Sequence, residues 1–334
     1  MTGQPLVTVI ALCYNHAHFV IECLDSIRNQ TYRNVQIIIT DDCSQDDSVE
    51  IIRVWIARYG IECKFIVHKK NQGVCLTLND ALIHATGKYV AMVACDDGWV
   101  PERIAAQIAV MEGLPETVGV LYSDATVIDE SGVVLEGSFL ARHCKFPDGP
   151  PSGDIFEKLI PANFIPAMST LVRRSCYDVV GRYDDRLVYE DWDMWLRISA
   201  RFDFYYLPAL VARYRLVSTS MMRTIVVASD PRLHFSSYLI FEKMLTLRLG
   251  NTVAAQTGIS GMCGSAERLY KLGHPAAPPM LRRVAATRGG RWHTRQLALC
   301  ATLGVSWPVC QRLQSQYASI KSYLKWRFVK RDKP

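Results

Sequence analysis

The chain has no Cys-x-x-Cys pair, no long apolar run and no glycine fingerprint, and each absence removes a class of protein. Its eleven cysteines are odd in number and scattered. That pattern fits neither a zinc framework nor a disulfide scaffold and leaves reduced thiols, as expected in the cytoplasm. No stretch of about 18 apolar residues occurs, so no membrane-spanning helix is expected. Met1 to Val9 has no basic region followed by an apolar one, and no secretory signal is expected. Leu12 to Ala17 lacks the G-x-G-x-x-G of a dinucleotide dehydrogenase. Cys13 to His18 (CYNHAH) lacks the basic, Gly-rich loop that a nucleotidyltransferase would place after its first strand.

What is present is a globular composition, with 49% hydrophobic and 21% charged residues over 334 positions. That length supports one large domain or two smaller ones. The net charge of +6 divides unevenly: 21 basic residues face 29 acidic ones up to Asp230, and 17 face 3 beyond it. A basic second part predicts an anionic partner there, such as a membrane surface, a nucleic acid or a phosphorylated substrate. No nucleic-acid-binding module accompanies the charge, and no nucleic acid is expected.

Over residues 1–125 short β-branched runs alternate with helical patterns. Val7 to Cys13 is predicted as a strand and His18 to Asn29 as a helix with Phe19, Cys23 and Ile27 on one face. Val35 to Thr40 (VQIIIT) is the near-continuous apolar run of a strand buried on both faces. Asp47 to Tyr59 is predicted as a helix, with Asp47 and Glu50 at capping-box spacing. A strand at Cys63 to His68, a helix at Val74 to Ala85 and a strand at Tyr89 to Ala94 follow. Pro101 is expected to open the next helix. This alternation predicts an α/β class with a mostly parallel, Rossmann-like sheet flanked by helices. After a strand at Val118 to Asp124, Asp129 to Gly132 reads as a hairpin turn and Pro147 to Gly153 as a loop beside a site. Phe164 to Val172 reads as a strand and Asp191 to Arg201 as a helix. From about Pro231 the chain reads as helical, with breaks at Gly250, Gly273 to Pro279 and Gly289-Gly290.

Four acidic groups stand at strand ends or loops: Asp41-Asp42, Asp96-Asp97, Asp124 and Glu190-Asp191. Ligands of open α/β sheets bind outside the carboxyl ends of the strands, so the first three point to one crevice. Any one of them also reads as an ordinary turn former; their recurrence favours a site. Asp42 could accept a base N–H or ribose hydroxyls. Asp96 and Asp97 suit Mg²⁺ or Mn²⁺, held by carboxylates together with substrate phosphates. Such an ion offsets the charge that builds on a departing diphosphate. A separate carboxylate such as Asp191 could take the proton of an attacking hydroxyl.

VTVIALCYN (Val7 to Asn15), SIRNQTYRNVQIIITDDCSQD (Ser26 to Asp46), NQG (Asn71 to Gly73), GKYVAMVACDD (Gly87 to Asp97) and EDWDMWLR (Glu190 to Arg197) together resemble the family 2 glycosyltransferases of GT-A fold. The resemblance covers residues 5–215. It implies an inverting transfer of a sugar from a nucleotide-diphosphate-sugar, UDP-sugar favoured, to a saccharide or lipid-linked acceptor, in polysaccharide or glycolipid synthesis. It assigns residues 1–225 to a GT-A nucleotide-sugar-binding and catalytic domain and leaves 226–334 as a basic, mainly helical extension. Asp42 matches the base-binding aspartate, with Tyr14, Asn15 and the backbone near Ala11 beside it, and Asn71 and Gly73 also on the donor. Asp96 and Asp97 match the end of the Asp-x-Asp metal and diphosphate motif. Asp191 matches the catalytic base, with Glu190 as the second candidate. Trp192 either lies on the acceptor side or packs in the core.

Two positions depart from the family pattern. Ala94 stands where an Asp is common, which leaves Asp97 to carry the metal. Val217 stands where a metal-binding His is common; either metal affinity is lower, or Arg215 and Arg223 take over part of the diphosphate neutralisation, an Arg there reading equally as a surface residue. In the tail, Trp307, Cys310, Leu313, Tyr317, Ile320, Leu324 and Phe328 lie on one helical face, and Lys321, Lys325, Arg327, Lys330, Arg331 and Lys333 crowd its end. That helix either packs on the catalytic domain or lies on an anionic membrane. A cytoplasmic protein is expected, with a peripheral place on the cytoplasmic face of the membrane as the second possibility. A non-catalytic nucleotide-sugar-binding scaffold is the competing reading, though it would not need the acidic groups that are all present.

Overall fold

The computed structural model describes residues 3–218, 230–287 and 289–312. Its contacts divide the chain into two compact units, residues 1–224 and 225–334.

The first unit is built on a nine-stranded mixed sheet in the order β3-β2-β1-β4-β8-β6-β9-β5, with β7 paired to β6. The strands are β1 (Val7–Cys13), β2 (Val35–Asp41), β3 (Cys63–Val67), β4 (Tyr89–Ala94), β5 (Gly98–Trp99), β6 (Val118–Ile128), β7 (Val134–Glu136), β8 (Leu171–Arg173) and β9 (Asp203–Arg215). The long pairings are parallel: β1 with β2 and β4, β2 with β3, and β6 with β9. The short ones, of β8 with β4 and β6, β5 with β9 and β7 with β6, are antiparallel. The helices are α1 (Val20–Arg28), α2 (Ser48–Tyr59), α3 (Val74–Leu82), α4 (Arg103–Met111), α5 (Phe139–His143), α6 (Phe156–Leu159), α7 (Arg174–Val180) and α8 (Asp191–Ser199).

The pattern of β1 and β2 explains the layers. Val7, Val9, Ala11 and Cys13 enter one core with Val20, Cys23, Leu24 and Ile27 of α1. The alternate residues Thr8, Ile10 and Ile38 are equally buried, and α3 packs on β1 and β2. Burial on both faces is what an unbroken apolar run such as VQIIIT requires.

Three local expectations change in the fold. The side chain of Asp47 makes no capping bond. Asp46 ties down the start of α2 instead, accepting the Ser48 N–H at 3.0 Å and the Ala17 N–H at 3.0 Å. Pro101 lies in the turn ahead of α4, which starts at Arg103, and its carbonyl accepts the Thr31 N–H at 2.9 Å. Of Phe164 to Val172 only the end is strand. Pro166 has no N–H for a ladder, and a 3-10 turn at Ala167–Ser169 precedes β8. The hairpin at Asp129 to Gly132 forms as expected, joining β6 to β7.

The second unit contains α9 (Pro231–Leu247), α10 (Thr252–Lys271), α11 (Ala277–Ala285) and α12 (Trp292–Thr302). Asp230 and Asn251 cap the first two through the N–H groups of Arg232 and Ala254, each at 2.8 Å. Helices α9 and α10 pack so closely that a Cβ on Gly261 would lie 2.4 Å from the Phe241 ring. The helical face from Leu313 to Phe328 and the basic cluster from Lys321 to Lys333 lie outside the described residues.

Candidate active site

The carboxyl ends of β2, β1 and β4, neighbours in the sheet, carry the first group of residues. Tyr14 follows β1 and is exposed. Asn15 holds the left-handed conformation at φ 57°, which asparagine tolerates better than most residues. Its N–H donates to Ser44 Oγ and its Oδ1 accepts the Gln45 N–H, both at 2.8 Å. Asp41 accepts the Ser44 N–H at 2.8 Å and the Ser44 hydroxyl at 2.6 Å. The loops after β1 and β2 are thereby fastened to each other. Ala11 lies within β1, wholly buried, between Ile39 and Val93.

Asp42 is buried at the end of β2. Its Oδ1 accepts the Gln72 N–H at 2.8 Å and lies 3.0 Å from His68 Nδ1, and its Oδ2 accepts the Gly73 N–H at 2.8 Å. Asn71 donates its amide to the Asp42 carbonyl at 3.2 Å. Gly73 reaches its place at φ 86°, a region open to glycine. A carboxylate offers about four acceptor positions, and three are taken here, so one is left for a ligand N–H or hydroxyl. His68 is a part of the site that sequence reasoning did not single out. Its Nε2 lies 3.2 Å from Asp80 Oδ2, so it stands between two carboxylates.

Asp96 and Asp97 form the turn after β4, where the Asp97 N–H donates to the Ala94 carbonyl at 3.0 Å. Asp97 Oδ1 accepts the Arg215 N–H at 2.8 Å, and the Asp96 carbonyl accepts Arg215 Nε at 2.8 Å. Burial first, and then the neighbouring Asp96, push the Asp97 carboxyl well above the usual range. Across the turn, His16 Nε2 lies 3.7 Å from Asp96 Oδ2.

Arg215 is not the exposed cation that its position suggested. It is buried, stacked 4.9 Å over the Phe19 ring and bonded to the Asp129 and Glu130 carbonyls at 3.2 Å. It also bonds to Glu22 at 2.5 Å. Its bonds to Asp96, Asp97, Asp129, Glu130 and Glu22 brace the Asp96-Asp97 turn. Arg223 lies outside the described residues, and Val217 is buried. Asp124 also turns away from the crevice: its oxygens accept the Ala125 and Leu140 N–H groups at 2.8 and 2.9 Å and the Ser138 hydroxyl at 2.5 Å. It anchors α5 to β6.

Asp191 is the first residue of α8. Its Oδ1 accepts the Trp192 N–H and its Oδ2 accepts the Asn163 amide, both at 2.7 Å. Burial raises its pKa, and those two donors pull the other way. Glu190 is pushed up to about 8, by burial first and by Asp191 second. Burial disfavours the charged form of both carboxyls, and the Trp192 N–H and the Asn163 amide favour the anion at Asp191. The Trp192 indole donates to the Leu159 carbonyl of α6 at 2.7 Å, which sets its ring against that helix.

Tyr214 lies within electrostatic range of both acidic groups. Its hydroxyl pKa is pushed up to about 12 by burial and then by Asp97, Asp96 and Asp191, so its ring lies in the field of all three. It packs edge-on to Phe139, with centroids 5.4 Å apart. The sequence marked Tyr214 only through the missing histidine three residues on. Asn163 carried no signal of its own.

The sequence profile described as glycosyl transferase family 2 matches residues 8–180. The putative glycosyltransferase EpsE of Bacillus subtilis is 32% identical over 202 residues, covering 59% of this chain and 68% of that protein. An uncharacterised glycosyltransferase of Rickettsia felis is 28% identical over 197 residues, covering 58% of this chain and 31% of the Rickettsia protein, about a third of its length. Among solved structures, S. aureus TarS 1–349 in complex with UDP superposes with a TM-score of 0.58 at 17% identity, covering 89% of this chain and 87% of that one. The mannosyltransferase PcManGT of Pyrobaculum calidifontis, in complex with GDP-Man and Mn²⁺, gives 0.56 at 20% identity, covering 97% and 87%. At such identities the likeness shows the fold, which is GT-A.

Proposed function

Since the chain belongs to glycosyltransferase family 2, we propose that it transfers a sugar from a nucleotide-diphosphate donor, UDP-sugar favoured, to an acceptor hydroxyl with inversion at the anomeric carbon. The observation that carries this reading is the paired arrangement of carboxylates. Asp96-Asp97 and Asp191 share the surroundings of Tyr214, while Asp42 stands two strands from β4, beyond β1.

In this reading the crevice at the ends of β1, β2 and β4 takes the nucleotide, with Tyr14, Asn15, Asn71 and Gly73 around the free acceptor position of Asp42. That position accepts an N–H, which the pairing edges of uracil, thymine and guanine present. A UDP-sugar is favoured because TarS, of the same fold, is seen with UDP and with UDP-GlcNAc. Asp96 and Asp97 would hold Mg²⁺ or Mn²⁺. Two adjacent carboxyls, one buried and raised in pKa by the other, fit a hard divalent cation that offsets both. Among the described residues no group of three His, Cys, Asp or Glu side chains converges on one point, so the diphosphate and water would complete the shell. When bound, the ion supplies charge stabilisation to the departing diphosphate.

Asp191, whose anionic form is favoured by the Trp192 N–H and the Asn163 amide, accepts the proton of the acceptor hydroxyl. The hydroxyl oxygen bonds to the anomeric carbon as the bond to the diphosphate breaks on the opposite face, and one displacement inverts the centre. Trp192, fixed on Leu159, would flank the acceptor.

A saccharide or lipid-linked acceptor, in polysaccharide or glycolipid synthesis, accords with the basic second unit. Among the described residues no helix is long and apolar enough to cross a membrane. Trp292 and Leu299 on α12 and Leu303 at its C-cap are exposed at helical spacing, at 73%, 61% and 70%, with Arg291 at the N-cap and Arg295 on the helix. This supports a peripheral place for the chain on an anionic bilayer, on its cytoplasmic face in this reading.

Calorimetric titration with UDP, GDP and dTDP, with and without Mn²⁺, tests the proposal. Metal-dependent binding of one nucleotide, lost in Asp97→Ala, is expected. A folded protein that binds none of them would overturn it.

A further inference from the structure

The protein ligands of the divalent ion are short of what the motif suggests. Ala94 has no donor, and Val217 is buried and apolar. Asp97 is 5% exposed, and one of its oxygens already accepts the Arg215 N–H. Asp96 is the better-placed carboxylate, since only its carbonyl is engaged by Arg215, and its Oδ2 faces the ring of His16.

His16 is held rigidly. Its N–H donates to Ser48 Oγ at 3.0 Å, and its carbonyl accepts the Phe19 and Val20 N–H groups at 2.9 Å. The ring is mostly buried, with the side chains of His16 and Asp96 20% and 16% exposed. Its Nδ1 is buried and has no hydrogen-bond partner among the described residues; Asp46 also lies in the field of the ring, while Nε2 faces Asp96. The 3.7 Å between Nε2 and Asp96 Oδ2 is too long for a hydrogen bond. It is within reach of a shared ion, because two bonds of about 2.1 Å can span up to about 4.2 Å.

We propose that His16 Nε2 is a ligand of the divalent ion, sharing it with Asp96 Oδ2 and the donor's diphosphate and supplying the nitrogen that Val217 cannot. This rests on the metal-dependent transferase reading above. An imidazole ligand favours Mn²⁺ over Mg²⁺ relative to an all-oxygen set. The consequence is a manganese preference encoded in the loop after β1.

The test is pulsed electron paramagnetic resonance of Mn²⁺ with UDP, and with GDP in parallel, on protein labelled with ¹⁵N-histidine. Wild type is expected to show ¹⁵N coupling to the ion, and His16→Gln to lose it. Mn²⁺ affinity should fall about tenfold or more in the variant, and the Mn²⁺ to Mg²⁺ affinity ratio should fall with it. His16→Asn should behave alike, with circular dichroism confirming that both variants fold. Bound Mn²⁺ without histidine coupling, or coupling that survives in His16→Gln, overturns the proposal and leaves the transferase reading standing. Folded wild type that binds no Mn²⁺ with either nucleotide overturns both the proposal and the metal part of that reading.

Discussion

Replacing Arg215 by methionine keeps most of the side-chain volume and removes a guanidinium that joins four segments of the first unit. The Asp96 carbonyl would lose a partner at 2.8 Å, and the Asp129 and Glu130 carbonyls would lose theirs at 3.2 Å. Bonds from a charged donor contribute about 1.5–3 kcal/mol each. The pair with Glu22, which is 43% exposed, adds little because solvent screens it. Methionine would recover part of the contact with Phe19. The expected net loss is about 3–5 kcal/mol, a large share of the roughly 5–15 kcal/mol that holds a domain together. Hydrogen exchange of β1 and β4 in urea reads that loss for this unit by itself. The Asp96-Asp97 turn should also loosen, weakening Mn²⁺ and nucleotide together. A loss under about 1 kcal/mol, with diphosphate binding selectively weakened, would refute the reasoning and return Arg215 to the donor.

Other outcomes follow from the same geometry. Asp191→Asn should lower transfer by about 10²–10⁴-fold while nucleotide titrations stay unchanged; near-normal turnover would remove Asp191 as base. Asn163→Ala removes a donor to the Asp191 carboxylate, so its pKa should rise and the acid limb of the kcat/KM profile should move to higher pH. Asp42→Asn should weaken nucleotide binding about 10- to 100-fold, read by calorimetry, because a charge-assisted bond becomes a neutral one. Glu190, ordinarily near 4.5, is pushed up to about 8 in the fold. The folded state thus binds the proton more tightly, and the stability it contributes is complete below about 4.5 and lost as pH climbs through about 8. Melting curves should show wild type losing about 3 kcal/mol between pH 6 and pH 9 that Glu190→Gln retains.

Much of the architecture was legible because it is local. VQIIIT reads as a buried strand because every second residue meets a different face and both faces are covered. Asp42 and Asp96-Asp97 read as site residues because the ends of parallel strands are where such sheets leave a crevice. β9 was less legible: Pro208 interrupts its alternation, and its register with β6 shifts at Asp124. The Phe164 to Val172 run failed as a strand because Pro166 cannot join a ladder.

What the sequence by itself determined is the set of chemical groups and the order of strands and helices that carry them. Tertiary structure decided the partners. His68 meets Asp42 from 26 residues away, Asn163 meets Asp191 from 28, and the Arg215 backbone meets Asp97 from 118. Only the sheet order, which sets β1 between β2 and β4, brings the His16 loop beside Asp96. Periodicity reports which face of an element is buried. It is silent on which distant side chain completes a hydrogen bond, because that depends on the packing of the whole sheet. For that reason Arg215 read as a diphosphate-neutralising candidate or a surface residue in the sequence and is a buried clamp in the fold.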